Sequence, residues 1–553
     1  MKKRKFILLF LLMFVLTACR IEAEIDSDII PLNNEGNFPT DQTATPFQPI
    51  QATINPKISV FVPEYLQKYV HLSEQSKNFT QADNEKFFQC NLNVGNGEVI
   101  IGNLTFVVVR PFNSIDDTIS SENLLKITLS EEMDESSLSA IYVNQPTHQI
   151  LSGYFGELSS RVIAVSDNEI FNNVDNNPNS IGIIGFENLE PIWKVLKIDD
   201  VSPLEKNFNQ TNYMLNFPIS INCFKGNNDE ISLMEDVEYF SNRDEDKLSI
   251  VMMSGTTALT RATASRMEAK GNTYPGEAVK IWFDQSDFRH VSSETPFFDD
   301  CPFPNPYQLD LSFCSEPDYV ELFEYLGVNI IELTGNHLLD KGNQAFESTL
   351  SLFSDSGFSY FAGGITEEEA LKPLVIEHNG NKVAFIGCNL AGPANVWAGM
   401  ERSGIAYCDF DAMKSQIQVL AQSGYLPIVT FQYFESNFTK PSPAQIHDFR
   451  RMIDAGAIIV SGSQSHVPMT MEIYQNGFIH YGLGNLFFDQ MDNLANRKEF
   501  IDRHIFYNGK YISTELLTAK LEDYAKPVPM TDDERADLLN EAFSYFTYSG
   551  EGE

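Results

Sequence analysis

Two of the nine histidines in this 553-residue chain, His337 and His466, fall two and four residues after a glycine, just past an apolar run. An imidazole is the side chain whose charge changes near neutral pH, so it serves as acid, base or metal ligand. His337 lies in Thr334-Gly335-Asn336-His337-Leu338-Leu339-Asp340, where a carboxylate three residues on could complete an acid/base pair. His466 closes Ser461-Gly462-Ser463-Gln464-Ser465-His466. Two further polar loops share this habit: Ser254 to Arg261, with Thr256, and Gly482-Leu483-Gly484-Asn485. A lone histidine after a strand is ordinarily structural. Two in parallel contexts point to one site.

The elements that position these loops are short and apolar. Strands are expected at Leu248 to Met253, Val328 to Leu333, Lys382 to Ile386, Leu426 to Phe431, Ala457 to Val460 and Phe478 to Tyr481. Helical periodicity covers Asn343 to Ser356 and Gln445 to Ala455. In α/β sheets ligands bind beyond the carboxyl ends of strands, so the loops should converge. An upstream α/β region, 52–245, carries expected strands at Thr105 to Arg110, Ser180 to Gly185, Val195 to Ile198 and Tyr213 to Phe217. The polar, aperiodic Asn242 to Lys247 reads as the joint before the third region, 246–521, and 522–553 reads as a terminal helix with an acidic tail.

The N-terminus carries Lys2, Lys3, Arg4 and Lys5, an apolar stretch from Phe6 to Leu16, and then Leu16-Thr17-Ala18-Cys19. This is a signal-peptide pattern over 1–18, too short to span a bilayer. Cys19 sits where a bacterial lipobox places the thiol that is acylated, as with palmitate. Residues 19–51 then form a polar tether, and the expected location is extracytoplasmic, held to the cell membrane by lipid. The 38 basic and 76 acidic residues argue against nucleic acid as a partner. Six cysteines remain after Cys19, an even number that suits an oxidising compartment. Cys301 and Cys314 flank a Pro- and Asn-rich loop and are the expected bridge. Cys388 with Cys408 and Cys90 with Cys223 are further pairings, and six reduced thiols the alternative.

Two resemblances follow. Gly182, Pro203, Asn207, Tyr213 and Leu215 stand in an order similar to the second half of phosphate-type (type 2) periplasmic binding proteins. A structural α/β domain without ligand is the other reading of that region. In the third region, Gly255-x-x-x-Leu259-x-Arg261, Ser293-Glu294, the Asn336-His337-x-x-Asp340-x-Gly342 block, Gly462-x-x-x-His466 and Tyr481-Gly-Leu-Gly-Asn485 through Asp489 resemble bacterial capsule-synthesis (poly-γ-glutamate synthesis) proteins. That family is similar in fold to calcineurin-like metallophosphoesterases, which implies an αββα sandwich.

The resemblance implies metal ligands at Glu294, Asn336 and His466, with His337 and Asp340 as the acid/base pair. Thr256 stands where the family has Asp. Gln432 replaces a His, Ser436 a Glu, and Ser463 and Gln464 common histidines. A two-metal site needs more hard or imidazole ligands than remain, so the expectation is one divalent ion, Zn or Mn, or none. Thr256, Arg261, Gln432, Ser463, Gln464 and Asn485 would then bind substrate by hydrogen bonds. Two functions stay open. One is an envelope protein that assembles, exports or hydrolytically trims an anionic polymer, with the polymer or cell-envelope machinery as partner. The other is a non-catalytic solute- or polymer-binding lipoprotein.

Overall fold

A computed structural model describes residues 57–71, 78–82, 86–97, 99–130, 138–224 and 238–549. The signal, tether and Cys19 readings lie outside the described residues, as do residues 550–553. No described helix is long and apolar enough to cross a membrane.

The upstream region is built on one long strand, Val99–Pro111, whose β-branched and aromatic run suits a sheet buried on both faces. It pairs antiparallel with Asn216–Cys223 on one side and with Ser180–Gly185 and Trp193–Ile198 on the other. Phe106, Val107, Val108 and Val109 are wholly buried, and each such side chain contributes roughly 1.5–3 kcal/mol. Helices Ser121–Leu129, Gln145–Phe155 and Asp167–Asp175 complete this α/β layer. Cys90 and Cys223 sit opposite each other on neighbouring strands and are bridged. The strand expected from Tyr213 begins at Asn216, after the short 3-10 turn Gln210–Asn212.

The third region holds two sheets. The first runs Ser359–Phe361, Ile330–Glu332, Phe288–Ser293, Leu248–Met253, Lys498–Tyr507, Lys510–Glu522, Lys526–Pro529. Its first four strands are parallel, and the last three return antiparallel. The second sheet has a parallel centre of Asn381–Asn389, Leu426–Ser436, Ile459–Ser465 and Gly477–His480. A hydrophobic cluster joins them, with Val251, Met253 and Phe500 from one sheet and Phe385, Val429 and Ile479 from the other. Helices Phe410–Gln422 and Pro443–Asp454 pack on the second sheet through Ile417, Phe449 and Met452. Glu321–Leu326 and Gly342–Asp355 pack on the first through Phe323, Phe346 and Phe353. The expected αββα sandwich is the observed one.

Two segments carry more structure than their sequence suggests. Within the joint, Glu245, Asp246 and Lys247 are exposed, but Asn242 and Arg243 are buried: Arg243 is 2% exposed and donates to the carbonyls of Pro203 and Glu205. Asn242 accepts from Thr105 N at 2.7 Å and donates to Thr105 O at 2.9 Å, so its side-chain amide acts as one more rung on the long strand. Val107, Val109 and Trp193 also share a core cluster with Leu248, Ile250 and Ile505, and backbone contacts place the described residues in one compact unit. The terminal segment is more than a helix and tail. Strand Lys526–Pro529 precedes the helix Asp532–Phe543, and Thr547–Ser549 pairs in parallel with Met471–Tyr474.

Candidate functional site

The polar loops meet because glycine lets their backbones touch. A Cβ on Gly335 would lie 2.6 Å from Glu294 Cα and from Ser293 O, and one on Gly255 would strike the Gly484 carbonyl. Thr256–Thr257 forms a short strand between Ser292–Ser293 and Asn485–Phe487. Glu294 N donates to Thr257 O at 2.9 Å, and Asn389 Nδ2 donates to Thr334 O at 2.8 Å, which ties the loop after Ile330–Glu332 to the second sheet.

The centre is a carboxylate surrounded by amides. Gln432 Nε2 donates to Glu294 Oε1 and Oε2, both at 3.2 Å, and to Asn336 Oδ1 at 3.0 Å. Gln464 Nε2 donates to the same Asn336 oxygen at 3.1 Å. Ser463 Oγ donates to Gln432 Oε1 at 2.5 Å, and this turns the NH2 end toward Glu294. Burial pushes the Glu294 carboxyl up to about 7, against the pull of His337 and the Gln432 hydrogen bond. Gln464 holds a left-handed backbone at φ 68°, uncommon for a residue with a Cβ, and its buried Oε1 has no partner among the described residues.

Beside this centre, His337 Nδ1 pairs with Asp340 Oδ2 at 2.7 Å, and Phe313 N donates to the same oxygen at 2.8 Å. Burial alone would lower the His337 pKa. The Asp340 hydrogen bond and the nearby Glu294 charge outweigh it, and the result is raised. His466 Nδ1 pairs with Asn485 Oδ1 at 2.9 Å, and burial lowers its pKa. Arg261 pairs with Asp489, while its guanidinium lies over Phe313 at 4.9 Å and Phe488 at 5.0 Å. A cavity of about 570 Å³ opens here, lined among others by Arg261, Arg266, His466, Gln490 and Asn496.

Thus Glu294, Asn336, Gln432, Ser463 and Gln464 share one hydrogen-bonded cluster, and His337 with Asp340 forms a second pair. His466 joins Asn485 and Arg261 at the cavity. Thr256 lies in the connecting strand with its buried hydroxyl unpartnered among the described residues. Gln490, Asn496 and Phe313 were not foreseen as site residues; an Asn- and Gln-bearing run directly after Asp489 was the available signal. The structure bridges Cys301 to Cys314, and Cys388 to Cys408.

The donor set does not fit a divalent ion. A cation would have to reach Glu294 and Asn336 where the Gln432 nitrogen already shares its two N–H groups among three oxygens. Losing that nitrogen would strand a buried amide. Among the described residues no group of three or more His, Cys, Asp and Glu is arranged to hold a metal.

Residues 250–490 match the family described as "Bacterial capsule synthesis protein PGA_cap". The "Capsule biosynthesis protein CapA" of Bacillus anthracis is 25% identical over 299 residues, which cover 53% of this chain and 72% of that protein. Among solved structures, the NAD nucleotidase (NadN) of Haemophilus influenzae aligns with a TM-score of 0.31 at 10% identity, over 56% of this chain and 65% of the other. An ABC-type phosphate transport receptor from Vibrio cholerae aligns with a TM-score of 0.26 at 10% identity, over 33% of this chain and 93% of the receptor.

Proposed function

From the premise that the third region belongs to the bacterial capsule synthesis family, related to capsule and poly-γ-glutamate synthesis proteins, we propose that this chain binds and handles an anionic envelope polymer without metal-dependent hydrolysis. The observation that carries the reading is the Gln432 nitrogen, which makes with Glu294 and Asn336 the contacts a bound ion would otherwise make. The adjoining cavity is lined by side-chain amides, an imidazole, two guanidiniums and the carboxylates of Glu435, Asp489 and Asp492; its amides and guanidiniums are groups that suit a repeating amide with pendant carboxylates. Cys19 would hold the chain to the outer face of the cell membrane, near where such a polymer emerges.

The test measures metal content and binding on the same sample. The purified chain should carry well under one equivalent of Zn or Mn, and should bind an oligo-γ-glutamate saturably in the presence of a chelator. His466→Ala should weaken that binding without unfolding the chain. Stoichiometric metal whose removal abolishes oligomer binding would overturn the reading in favour of a metal-dependent enzyme.

A further inference from the structure

A second cavity, of about 260 Å³, lies where the upstream region meets the first sheet of the sandwich. None of its lining residues belongs to the amide cluster or its neighbouring cavity. Phe112, Trp282, Leu516 and Met530 supply apolar walls, and Lys194, Arg535 and Asp117 supply the charge. We propose that this cavity binds a small monoanion with an apolar body, a carboxylate carrying a chain or ring, of about nine non-hydrogen atoms if each occupies roughly the volume of a water.

The charge count favours an anion. Two cations converge on one carboxylate. Arg535 donates to Asp117 through Nε, and through Nη2 at 2.9 Å, while Lys194 Nζ lies 2.6 Å from Asp117 Oδ1. The other charges near the lining are already matched: Lys197 with Glu205, Glu515 with Arg503, and Asp116 with Arg110. One positive charge is therefore left in excess at the cavity, in a chain whose formal net charge is -38. Lys194 spends its other hydrogen bond on Ser114 O at 2.8 Å, so one of its three N–H groups has no partner among the described residues.

The lysine's own state agrees. Burial pushes Lys194 down to about 8, Arg535 adds to the fall, and Asp117 only partly offsets it. A carboxylate beside Lys194 would relieve that displacement, while its apolar body would cover Trp282, Leu516 and Met530. A neutral ligand of the same shape gains only the second effect. A dianion would leave one charge buried without a partner.

Calorimetric titration of the full chain with octanoate tests this, with octan-1-ol as the neutral control. Octanoate should bind at one site per chain, about tenfold or more tighter than the alcohol, as expected for a charge-assisted contact. Lys194→Met should erase that preference. Met530→Trp, which fills the cavity and touches no charge, should abolish binding of both and keep the fold. Equal affinity for octanoate and octanol refutes the proposal, as does the absence of saturable octanoate binding. Should Lys194→Met fail to fold, octanoate affinity unchanged in Met530→Trp also refutes it. None of these outcomes bears on the polymer reading, whose residues lie elsewhere.

Discussion

The substitution Glu294→Gln separates an amide-filled centre from a metal centre. The Glu294 carboxyl is buried and pushed from an ordinary 4.5 up to about 7. Each pH unit of that displacement corresponds to about 1.4 kcal/mol, so the whole amounts to about 3 kcal/mol. The sign is fixed by which state holds the proton. Below about pH 4.5 both folded and unfolded chains are protonated at this site. Between 4.5 and 7 only the folded chain keeps the proton, so this contribution to stability falls as pH rises, and above 7 it is lost. The amide that replaces the carboxyl cannot ionise. It changes one hydrogen bond to Gln432, an offset of about 1 kcal/mol that does not vary with pH. In urea unfolding followed by tryptophan fluorescence, the variant should therefore gain about 3 kcal/mol on the natural chain between pH 4.5 and 8. Parallel profiles would sink the argument. A variant that instead loses ground as pH rises would mean a cation keeps Glu294 ionised.

Three other outcomes are expected. Cys19→Ala should move the protein from the membrane to the soluble fraction with its fold intact; retention after a carbonate wash would exclude the lipid anchor. Thr256→Asp with Gln432→His should raise Zn or Mn affinity measured by competition with a chromophoric chelator, because it removes the blocking amide and adds a carboxylate and an imidazole. An affinity no higher than the natural chain's would mean these positions do not face one centre. Replacing Cys301 and Cys314 together by Ser opens a loop of 13-residue separation, which the entropic model values at about 3 kcal/mol, read as a fall in melting temperature. An unchanged melting temperature would show that the loop adds nothing to global stability.

The sequence was most legible where each strand was uniformly apolar and each loop polar. Leu248–Met253 and Ser180–Gly185 have the expected bounds, and the helices begin within two residues of expectation. It was least legible where polar residues are buried inside strands. Lys498–Tyr507 carries Glu499, Asp502, Arg503 and His504, all buried, so neither alternation nor an apolar run marked it. Pairing accounts for three of them: His480 Nδ1 meets Asp502 Oδ2 at 2.6 Å, Arg503 Nε donates to Glu515 at 2.9 Å, and His504 Nδ1 meets Thr514 Oγ1 at 2.7 Å, whereas the buried Glu499 carboxyl has no partner among the described residues and burial pushes its pKa well up. Phe288–Ser293 was missed for the same reason, since Arg289 and His290 interrupt it. Glu294 follows that strand directly, so only the family resemblance could find it. Gln432 was legible as a hydrogen-bonding group, but not as one turned inward onto Glu294. That orientation depends on Ser463, from the neighbouring strand.

On the proposed reading, the site's composition answers a problem set by the whole chain. A protein with a formal charge of -38 repels a polyanion over most of its surface, and a long array of surface cations is not available to it. The pocket limits that repulsion by cancelling part of its charge in pairs. Arg261 meets Asp489, and His337 meets Asp340. Burial displaces Glu294, which would otherwise be a full negative charge at the centre, up to about 7, toward its neutral form. Outward, beside the exposed carboxylates of Glu435 and Asp492, stand neutral amides: Gln490 and Asn496 next to Asn485 and His466. Such groups recognise a carboxylate or a peptide-like unit by geometry, each net bond contributing about 1 kcal/mol, with little of the salt dependence that opposed charges bring. Weak, additive contacts of that kind suit a polymer that must pass along a site and leave it. A metal centre built for hydrolysis would have required the opposite, several fixed negative ligands facing the substrate's own carboxylates.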